Sequence, residues 1–232
     1  MTEQSRIVCV YIFDMEDGRT PQERLEAAVE EYCRACRQDL QEIFREREHI
    51  SRFLRVERTE TGKPYFPECT SIHFSISHSG TYWACAIAGE NVGLDLQEHT
   101  LAKGESREEA AVRFRKMAHR FFHPKEAGFV DLDSYHNFFT VWTAREAYVK
   151  HTGQGIDKYF SEHCVVPREE TWRQISGLPE THIHASARSG QVIWQALGKW
   201  FWKTLYNDNY TVCICTETPC ECKVQKQIFD PA

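Results

Sequence analysis

Apolar and polar residues alternate along several stretches with the period of a β-strand. In residues 72–78 every second side chain is apolar, and residues 6–13 and 82–88 are almost wholly apolar, as in buried strands. Residues 92–96 alternate again and are expected to join 72–78 and 82–88 in one small antiparallel set. The second half contains further strand-like stretches at residues 159–166, 181–187, 191–205 and 209–216.

Helical spacing of apolar residues appears in other stretches, each with a signal that begins or ends a helix. These are residues 20–47, with a capping box from Thr20 to Glu23; residues 106–123, with a capping box from Ser106 to Glu109 and a stop before Pro124; and residues 135–151, closed by Gly153 and Gly155.

Mixed helices and strands predict an α+β fold. Residues 101–104 look like a link between two halves, so we predict an N-terminal half over 1–100 and a C-terminal half over 101–217. Residues 218–232 form a polar, cysteine-containing tail that we expect to be loosely ordered.

Composition narrows the class of protein. The chain has 232 residues, of which 41% are hydrophobic, enough for a folded core. A net charge of −6 argues against a general nucleic-acid binder. The chain contains no run of eighteen apolar residues, so no membrane span is predicted. The N-terminus lacks the pattern of a secretory signal, and we therefore expect a cytoplasmic protein.

Ten cysteines are expected to be reduced thiols in that compartment. Cys213, Cys215, Cys220 and Cys222 lie close together in the sequence and could bind zinc, form a labile thiol cluster or be incidental. Their C-x-C spacing is not that of a structural zinc site.

Asp95 and Gln97 share one face of the predicted strand 92–96, opposite its apolar side chains. A carboxylate beside an amide could bind a hard metal ion; the alternative is an ordinary exposed strand face. Glu146 and Lys150 are neighbours on the surface of one predicted helix, where they could form either a salt bridge or part of a site.

Two loops carry candidate anion-binding groups. Lys63 lies between Gly62 and Pro64, where it could meet an anion or be an ordinary loop lysine. Ser77 and His78 end a strand in a polar cluster. A phosphate-binding loop fits them better than a serine hydrolase, because neighbours on a strand face opposite ways and no nucleophile elbow is present.

These pieces occur in a characteristic order. They are Gly62-Lys63-Pro64, the stretch Phe74–Gly80, Val92-Gly-Leu-Asp95-Leu-Gln97, the stretch Arg120–Glu126, and Trp142-x-x-x-Glu146-Ala-x-x-Lys150 followed by Gly153-x-Gly155. From about residue 6 to residue 216 the chain resembles the 4′-phosphopantetheinyl transferase family, of the larger surfactin-synthetase-activating type.

The resemblance implies two similar α/β subdomains in a pseudo-two-fold layout, with coenzyme A between them, and a monomer. It implies Mg²⁺-dependent transfer of 4′-phosphopantetheine from coenzyme A to a serine of an apo acyl or peptidyl carrier protein, releasing adenosine 3′,5′-bisphosphate. The residues that it implies are Asp95, Gln97 and Glu146 as metal ligands; Glu146, Lys150 and Asp95 in catalysis; and Lys63, Pro64, Ser77, His78 and Lys150 in coenzyme A binding.

Some positions depart from the family pattern. Gln97 stands where a second acid is usual, so we expect weaker Mg²⁺ binding. Arg145 occupies a position where the family commonly has lysine, and Ser75 occupies one where it frequently has asparagine. Gln97 favours a different function, that of an inactive relative that binds coenzyme A or a carrier without transfer. A metal or redox module in the cysteine-rich tail and a phosphate-directed hydrolase are two further possibilities. The residues do not indicate which carrier or pathway is served.

Overall fold

The computed structural model describes residues 7–36, 53–155, 162–166 and 192–226. The strands are β1 (Ile7–Asp14), β2 (Glu57–Arg58), β3 (Pro64–Tyr65), β4 (His73–Ser79), β5 (Tyr82–Ala88), β6 (Val92–Glu98), β7 (Val192–Ala196), β8 (Lys199–Tyr206), β9 (Tyr210–Thr216) and β10 (Glu221–Lys226). The helices are α1 (Pro21–Cys36), α2 (Arg107–Phe121), α3 (Pro124–Leu132) and α4 (His136–Thr152). This content confirms an α+β fold. The division at residue 100 and the pseudo-two-fold layout stay predictions.

One four-stranded sheet has the order β10-β1-β5-β4. Strand β10 runs parallel to β1, with Val8 opposite Cys222, and so corrects the expectation of a loosely ordered tail over residues 221–226. Cys222 is buried between its exposed neighbours Glu221 and Lys223. A strand at the edge of a sheet pairs with only one neighbour, so a short and largely polar segment can form such a strand.

The other four-stranded sheet has the order β6-β9-β8-β7. Strand β6 was expected to pair with β4 and β5, but it pairs with β9, placing Asp95 opposite Cys213. The apolar face of β6, with Leu94 and Leu96, packs on the first sheet in a cluster that includes Val10 and Ala86. The expected pairing was therefore wrong: β6 meets the first sheet through packed side chains.

Separate apolar clusters join the helices to these sheets. Helix α1 packs on the outer face of the first sheet through Leu25 and Val29, and helices α2 to α4 cover the outer face of the second. The layers thus run helix, sheet, sheet, helices. Among the described residues, no helix has the length and apolarity needed to cross a membrane.

Where the structure describes them, helix boundaries agree with the capping signals, with one omission. The predicted continuation of the first helix over 37–47, and the predicted strand residues 159–161 and 181–187, lie outside the described residues. Ser106 and Glu109 form the predicted capping box at the start of α2, and α4 ends at Gly153 with φ 71°. Pro124 ends α2 as expected but also begins α3, which the sequence pattern did not predict. His123 and Glu126 form a capping box there, and this is the signal that would have found the helix.

Helix α4 lies unusually close to β6 at Gly93. A Cβ atom built on Gly93 would lie 1.9 Å from the carbonyl oxygen of Ala147 and 2.5 Å from the backbone nitrogen of His151. Both are backbone atoms of α4 and cannot turn aside as a flexible side chain could. Glycine at position 93 is therefore required for this approach.

We expect Gly93→Ala to lower the free energy of unfolding by more than about 3 kcal/mol, because the added methyl group must push α4 off the sheet. Urea denaturation would measure the change. Gly104→Ala is the matched control: Gly104 has φ +81° and open space around it. That substitution should cost only the backbone strain of about 1–2 kcal/mol. Equal losses in the two variants would contradict the close contact.

Candidate active site

A cleft of about 590 Å³ lies beside the end of α4 and the loop before β3. Its charged lining residues are all basic: Arg24, Arg58, Lys63 and Lys150, with His78 beside them. No acidic side chain lines the cleft in the part of the chain that the structure describes. A concave surface with charges of one sign concentrates ligands of the opposite sign, so the cleft suits a polyanion.

Asp95 is paired with Lys150 of the cleft lining, and only 5% of its own surface is exposed. Its Oδ1 accepts hydrogen bonds from Ser77 Oγ at 2.8 Å and from Lys150 Nζ at 2.7 Å. Lys150 Nζ also donates to Ser77 Oγ at 2.9 Å, so the side chains form a closed triangle. The other oxygen, Oδ2, is buried and has no hydrogen-bond partner among the described residues. One oxygen of Asp95 is therefore fixed and the other is available.

Glu146 comes one helical turn before Lys150 on α4. Burial raises its pKa, and the nearby charge of Asp95 raises it further. Burial also raises the pKa of Asp95, against the opposing effect of Lys150 and Ser77. Strand β6 and helix α4 thus bring together a pair of carboxyl groups that repel each other. Their role as metal ligands stays a prediction.

Gln97 is next to Asp95 on the same face of β6. Its Nε2 donates to Ser79 Oγ at 3.2 Å and to the carbonyl oxygen of Glu98 at 3.3 Å. The amide nitrogen is thus bound to acceptors within the protein, which leaves the amide oxygen as the atom that could bind a cation.

Lys63 lines the cleft, but its ammonium group binds the end of α4. Nζ donates to the carbonyl oxygen of His151 at 2.6 Å and also to Asn91 Oδ1. Asn91 Nδ2 donates to the same carbonyl at 2.9 Å. Burial lowers the pKa of Lys63 to about 8. A cation at the carboxyl end of a helix stabilises it, so Lys63 has a structural partner as well as a place in the cleft.

Ser77 and His78 point to opposite sides of β4. His78 is exposed and lines the cleft, whereas Ser77 is buried and bonded to Asp95. The strand geometry that argued against a Ser–His hydrolase is therefore present. Pro64 also lines the cleft, next to Lys63.

The cleft also contains two arginines that the sequence pattern did not single out. Arg24 is held by Asp17 at 2.5 Å, and Arg58 donates to the carbonyl oxygen of Gly62 at 2.8 Å. Arg24 is buried in the amphipathic helix α1, next to Leu25. A charged residue beside the apolar stripe of a helix is the signal that could have found it.

Arg145, next to Glu146, forms a buried ion pair with Glu126 of α3; the two are 1% and 0% exposed. Glu126 also accepts from the backbone nitrogens of Val165 at 2.8 Å and His123 at 3.0 Å. The pair therefore joins α4 to the start of α3 and to residues 162–166, and fixes the helix that carries Glu146.

All ten cysteines lie in the described residues and none forms a disulfide. Cys220 and Cys222 have their sulfur atoms 3.6 Å apart, while Cys213 and Cys215 are buried in β9. Within the described ranges, no group of three or more His, Cys, Asp or Glu side chains is placed to hold a metal ion. This finding does not support zinc binding by the cysteines.

Comparison with known proteins identifies several relatives of this chain. A 4′-phosphopantetheinyl transferase of Bacillus subtilis is 30% identical over 129 residues, covering 53% of this chain and 51% of the relative. The 4′-phosphopantetheinyl transferase Sfp of Bacillus subtilis strain 168 is 27% identical over 129 residues, covering 56% and 54%. The 4′-phosphopantetheinyl transferase gsp of Aneurinibacillus migulanus is 33% identical over 103 residues, covering 43% and 38%. The chain spans about half the length, or less, of these relatives.

The family model of the 4′-phosphopantetheinyl transferase superfamily matches residues 91–215, more than half of the chain. This range contains β6 and α4, and hence Asp95, Gln97, Glu146 and Lys150. The chain belongs to the 4′-phosphopantetheinyl transferase superfamily.

Proposed function

We propose that this protein transfers the 4′-phosphopantetheine group of coenzyme A to a serine of an apo carrier protein, with Mg²⁺, and releases adenosine 3′,5′-bisphosphate. The observation that carries the proposal is a basic cleft in which one lining residue, Lys150, is paired with Asp95, whose charge also acts on Glu146. Coenzyme A has a pyrophosphate and a 3′-phosphate, so a cleft lined with cations matches its charge.

Lys150 and the exposed His78 are the groups best placed to meet these phosphates. Both line the cleft, and Lys150 already holds its ammonium group at the edge of the carboxylate pair. Lys63 and Pro64 would form the wall beside the nucleotide. Ser77, the remaining predicted phosphate ligand, is already bonded to Asp95 and Lys150, and a phosphate would have to compete with these partners.

The side chains of Asp95, Glu146 and Gln97 fit a hard divalent ion. Oδ2 of Asp95 is buried without a partner among the described residues, Glu146 adds a carboxylate whose charge is unfavourable there, and Gln97 contributes an amide oxygen. Mg²⁺ prefers oxygen ligands of these kinds. When bound, the ion would neutralise negative charge that develops on the pyrophosphate during transfer.

Glu146 is the candidate general base. The serine oxygen attacks the phosphorus next to the pantetheine, its proton passes to Glu146 directly or through a water molecule, and the bond to adenosine 3′,5′-bisphosphate breaks. A raised carboxyl pKa brings the base closer to neutral pH, where proton transfer is more favourable. Lys150, one turn away, would hold a pyrophosphate oxygen.

An inactive relative that binds coenzyme A or a carrier is the second candidate function, and Gln97 is the residue that favours it. An amide in place of a carboxylate removes one negative charge from the metal site. Coenzyme A binding without transfer to any carrier would support this function. Release of phosphopantetheine to water without a carrier would instead indicate a hydrolase.

Carrier proteins of this enzyme class are acidic helical domains, and α2 offers them a basic and apolar face. Lys116 and Arg120 lie one turn apart, and they have no acidic partner among the described residues. Val112 and Phe121, each 52% exposed, line a groove of about 360 Å³ with them. We propose that the carrier binds to this face. A monomeric state and a cytoplasmic location stay predictions.

Glu146→Ala should lower the rate of carrier modification by about 10²–10⁴-fold, because it removes the base. The measurement is the intact mass of an apo carrier protein incubated with the enzyme, coenzyme A and Mg²⁺. The exposed Glu68, outside the cleft, provides the control Glu68→Ala, which should keep full activity. Full transfer by Glu146→Ala would remove Glu146 from catalysis. Absence of transfer by the wild type, with coenzyme A bound, would favour the inactive relative.

Glu146→Gln should raise the melting temperature at neutral pH in the presence of EDTA. The pKa of Glu146 is raised above its ordinary value of 4.5 on folding. The carboxyl group therefore favours the folded state below the unfolded pKa, and this advantage is lost as pH rises through the folded pKa. At low pH the variant should have the same melting temperature as the wild type. As the pH rises toward neutral, its melting temperature should exceed that of the wild type by a growing margin. A pH-independent difference, or one equal to that of Glu68→Gln, would contradict the raised pKa.

Lys116→Glu combined with Arg120→Glu should raise the KM for the carrier by at least about 10-fold, because like charges would face the acidic partner. The KM for coenzyme A should stay unchanged. Lys223→Glu, an exposed charge reversal on β10, is the control. Steady-state kinetics with varied carrier would measure the effect. An equal rise for Lys223→Glu, or no rise for the α2 variant, would place the carrier elsewhere.

A further inference from the structure

A row of serines on β4 faces β6 across the junction of the two sheets. Ser75, Ser77 and Ser79 alternate along the strand and so share one face. Ser75 Oγ accepts from the backbone nitrogen of Leu94 at 2.9 Å, and Ser77 Oγ donates to Asp95 Oδ1 at 2.8 Å. These hydroxyls take the place of a backbone ladder, because β4 and β6 belong to different sheets.

Ser79, the last of the row, contacts Gln97. Its Oγ accepts from the backbone nitrogen of Glu98 at 3.0 Å and from Gln97 Nε2 at 3.2 Å. A hydroxyl oxygen has two acceptor positions, and these two N–H groups fill both. The nitrogen of the Gln97 amide is therefore held against β4.

The carbonyl oxygen of Glu98 fixes which way this amide points. It lies 3.3 Å from Gln97 Nε2, and a carbonyl oxygen can only accept a hydrogen bond. If the amide were turned over, two oxygen atoms would face each other at this position. The amide oxygen of Gln97 must then lie on the branch directed away from these acceptors.

An amide differs from a carboxylate in having a single oxygen to offer a metal ion. A glutamate at position 97 could turn over and present an equivalent oxygen, whereas a glutamine that turns over presents an N–H donor, which repels a cation. A glutamine ligand is thus more dependent on the groups that orient it.

We propose that Ser79 is a positioning residue that makes the amide oxygen of Gln97 the ligand atom, as Ser77 leaves Oδ2 of Asp95 free by bonding Oδ1. The inference rests on the proposed function, because it concerns the divalent ion at Asp95, Gln97 and Glu146. It assigns to Ser77 and Ser79, but not to Ser75, a role in metal binding that does not involve direct contact with the ion.

The test is a double-mutant cycle on Mn²⁺ affinity, followed by the loss of the free Mn²⁺ signal in electron paramagnetic resonance. Mn²⁺ takes the same oxygen ligands as Mg²⁺. The proteins are the full chain without coenzyme A: wild type, Ser79→Ala, Gln97→Glu and the double variant. We expect Ser79→Ala to weaken Mn²⁺ binding by about 10-fold in the wild type. In the Gln97→Glu background the same change should have an effect within about 2-fold.

Ser75→Ala is the matched control, since it removes a serine of the same row that, among the described residues, bonds only the backbone of Leu94. It should lower the melting temperature and leave Mn²⁺ affinity unchanged, so a general loosening of β4 can be told from a loss of orientation. Circular dichroism confirms that each variant is folded. If Ser79→Ala fails to fold, Ser79→Thr keeps the hydroxyl and should retain wild-type Mn²⁺ affinity.

Equal weakening by Ser79→Ala in both backgrounds, or weakening by Ser75→Ala of the same size, would overturn the inference. Failure of the wild type to bind Mn²⁺ would also overturn it. Carrier modification by the wild type, followed by intact mass, tests the transferase function separately. Transfer with no coupling between positions 79 and 97 would leave the function standing and reject the role of Ser79.

Discussion

Helix α4 approaches strand β6 more closely than any residue but glycine at position 93 would permit. This contact places Glu146 and Lys150, which face β6 from α4, beside Asp95. Asp95 is buried and Glu146 is half-buried, and burial raises the pKa of both. The close packing and the unusual electrostatics are thus one feature, because a more distant helix would leave the carboxylates hydrated and separate.

Bringing two carboxyl groups together in a partly buried site costs free energy, and the surrounding residues offset part of this cost. Lys150 and Ser77 stabilise one oxygen of Asp95. The buried pair of Arg145 and Glu126 contributes in a different way, since it fixes α4 against α3 and residues 162–166. A buried ion pair is weak evidence for stability but fixes geometry well when each charge has further hydrogen bonds, as Glu126 has here. The exchange of the common lysine for arginine at position 145 keeps this charge.

Local signals predicted local structure. The capping boxes and Gly153 located α2 and α4, and alternation showed which face of β6 carries Asp95. The partner of β6 could not be predicted, because alternation specifies a face and not a neighbour, and β9 is distant in the sequence. Strand β10 could not be predicted, because its only apolar residues are Cys222 and Val224, too few to show a strand pattern. The candidate residues themselves came from motif order and resemblance. Their contacts, such as Lys63 with the end of α4, depend on tertiary packing that no local pattern records.

The cations of the cleft share a further property, in that each is already ordered by a partner within the protein. Arg24 is bound to Asp17, Arg58 to the carbonyl of Gly62, and Lys150 to Asp95. Ordering long side chains on binding costs entropy, and here folding has met that cost before a ligand arrives. An arginine has further N–H groups to offer while it keeps its partner, but Lys150 must divide one ammonium group between Asp95 and an incoming phosphate. A cation that binds Oδ2 of Asp95 would reduce the demand of that carboxylate on Lys150. The proposed metal site and the proposed phosphate site would therefore be linked through one side chain, and each would be expected to bind more tightly when the other is filled.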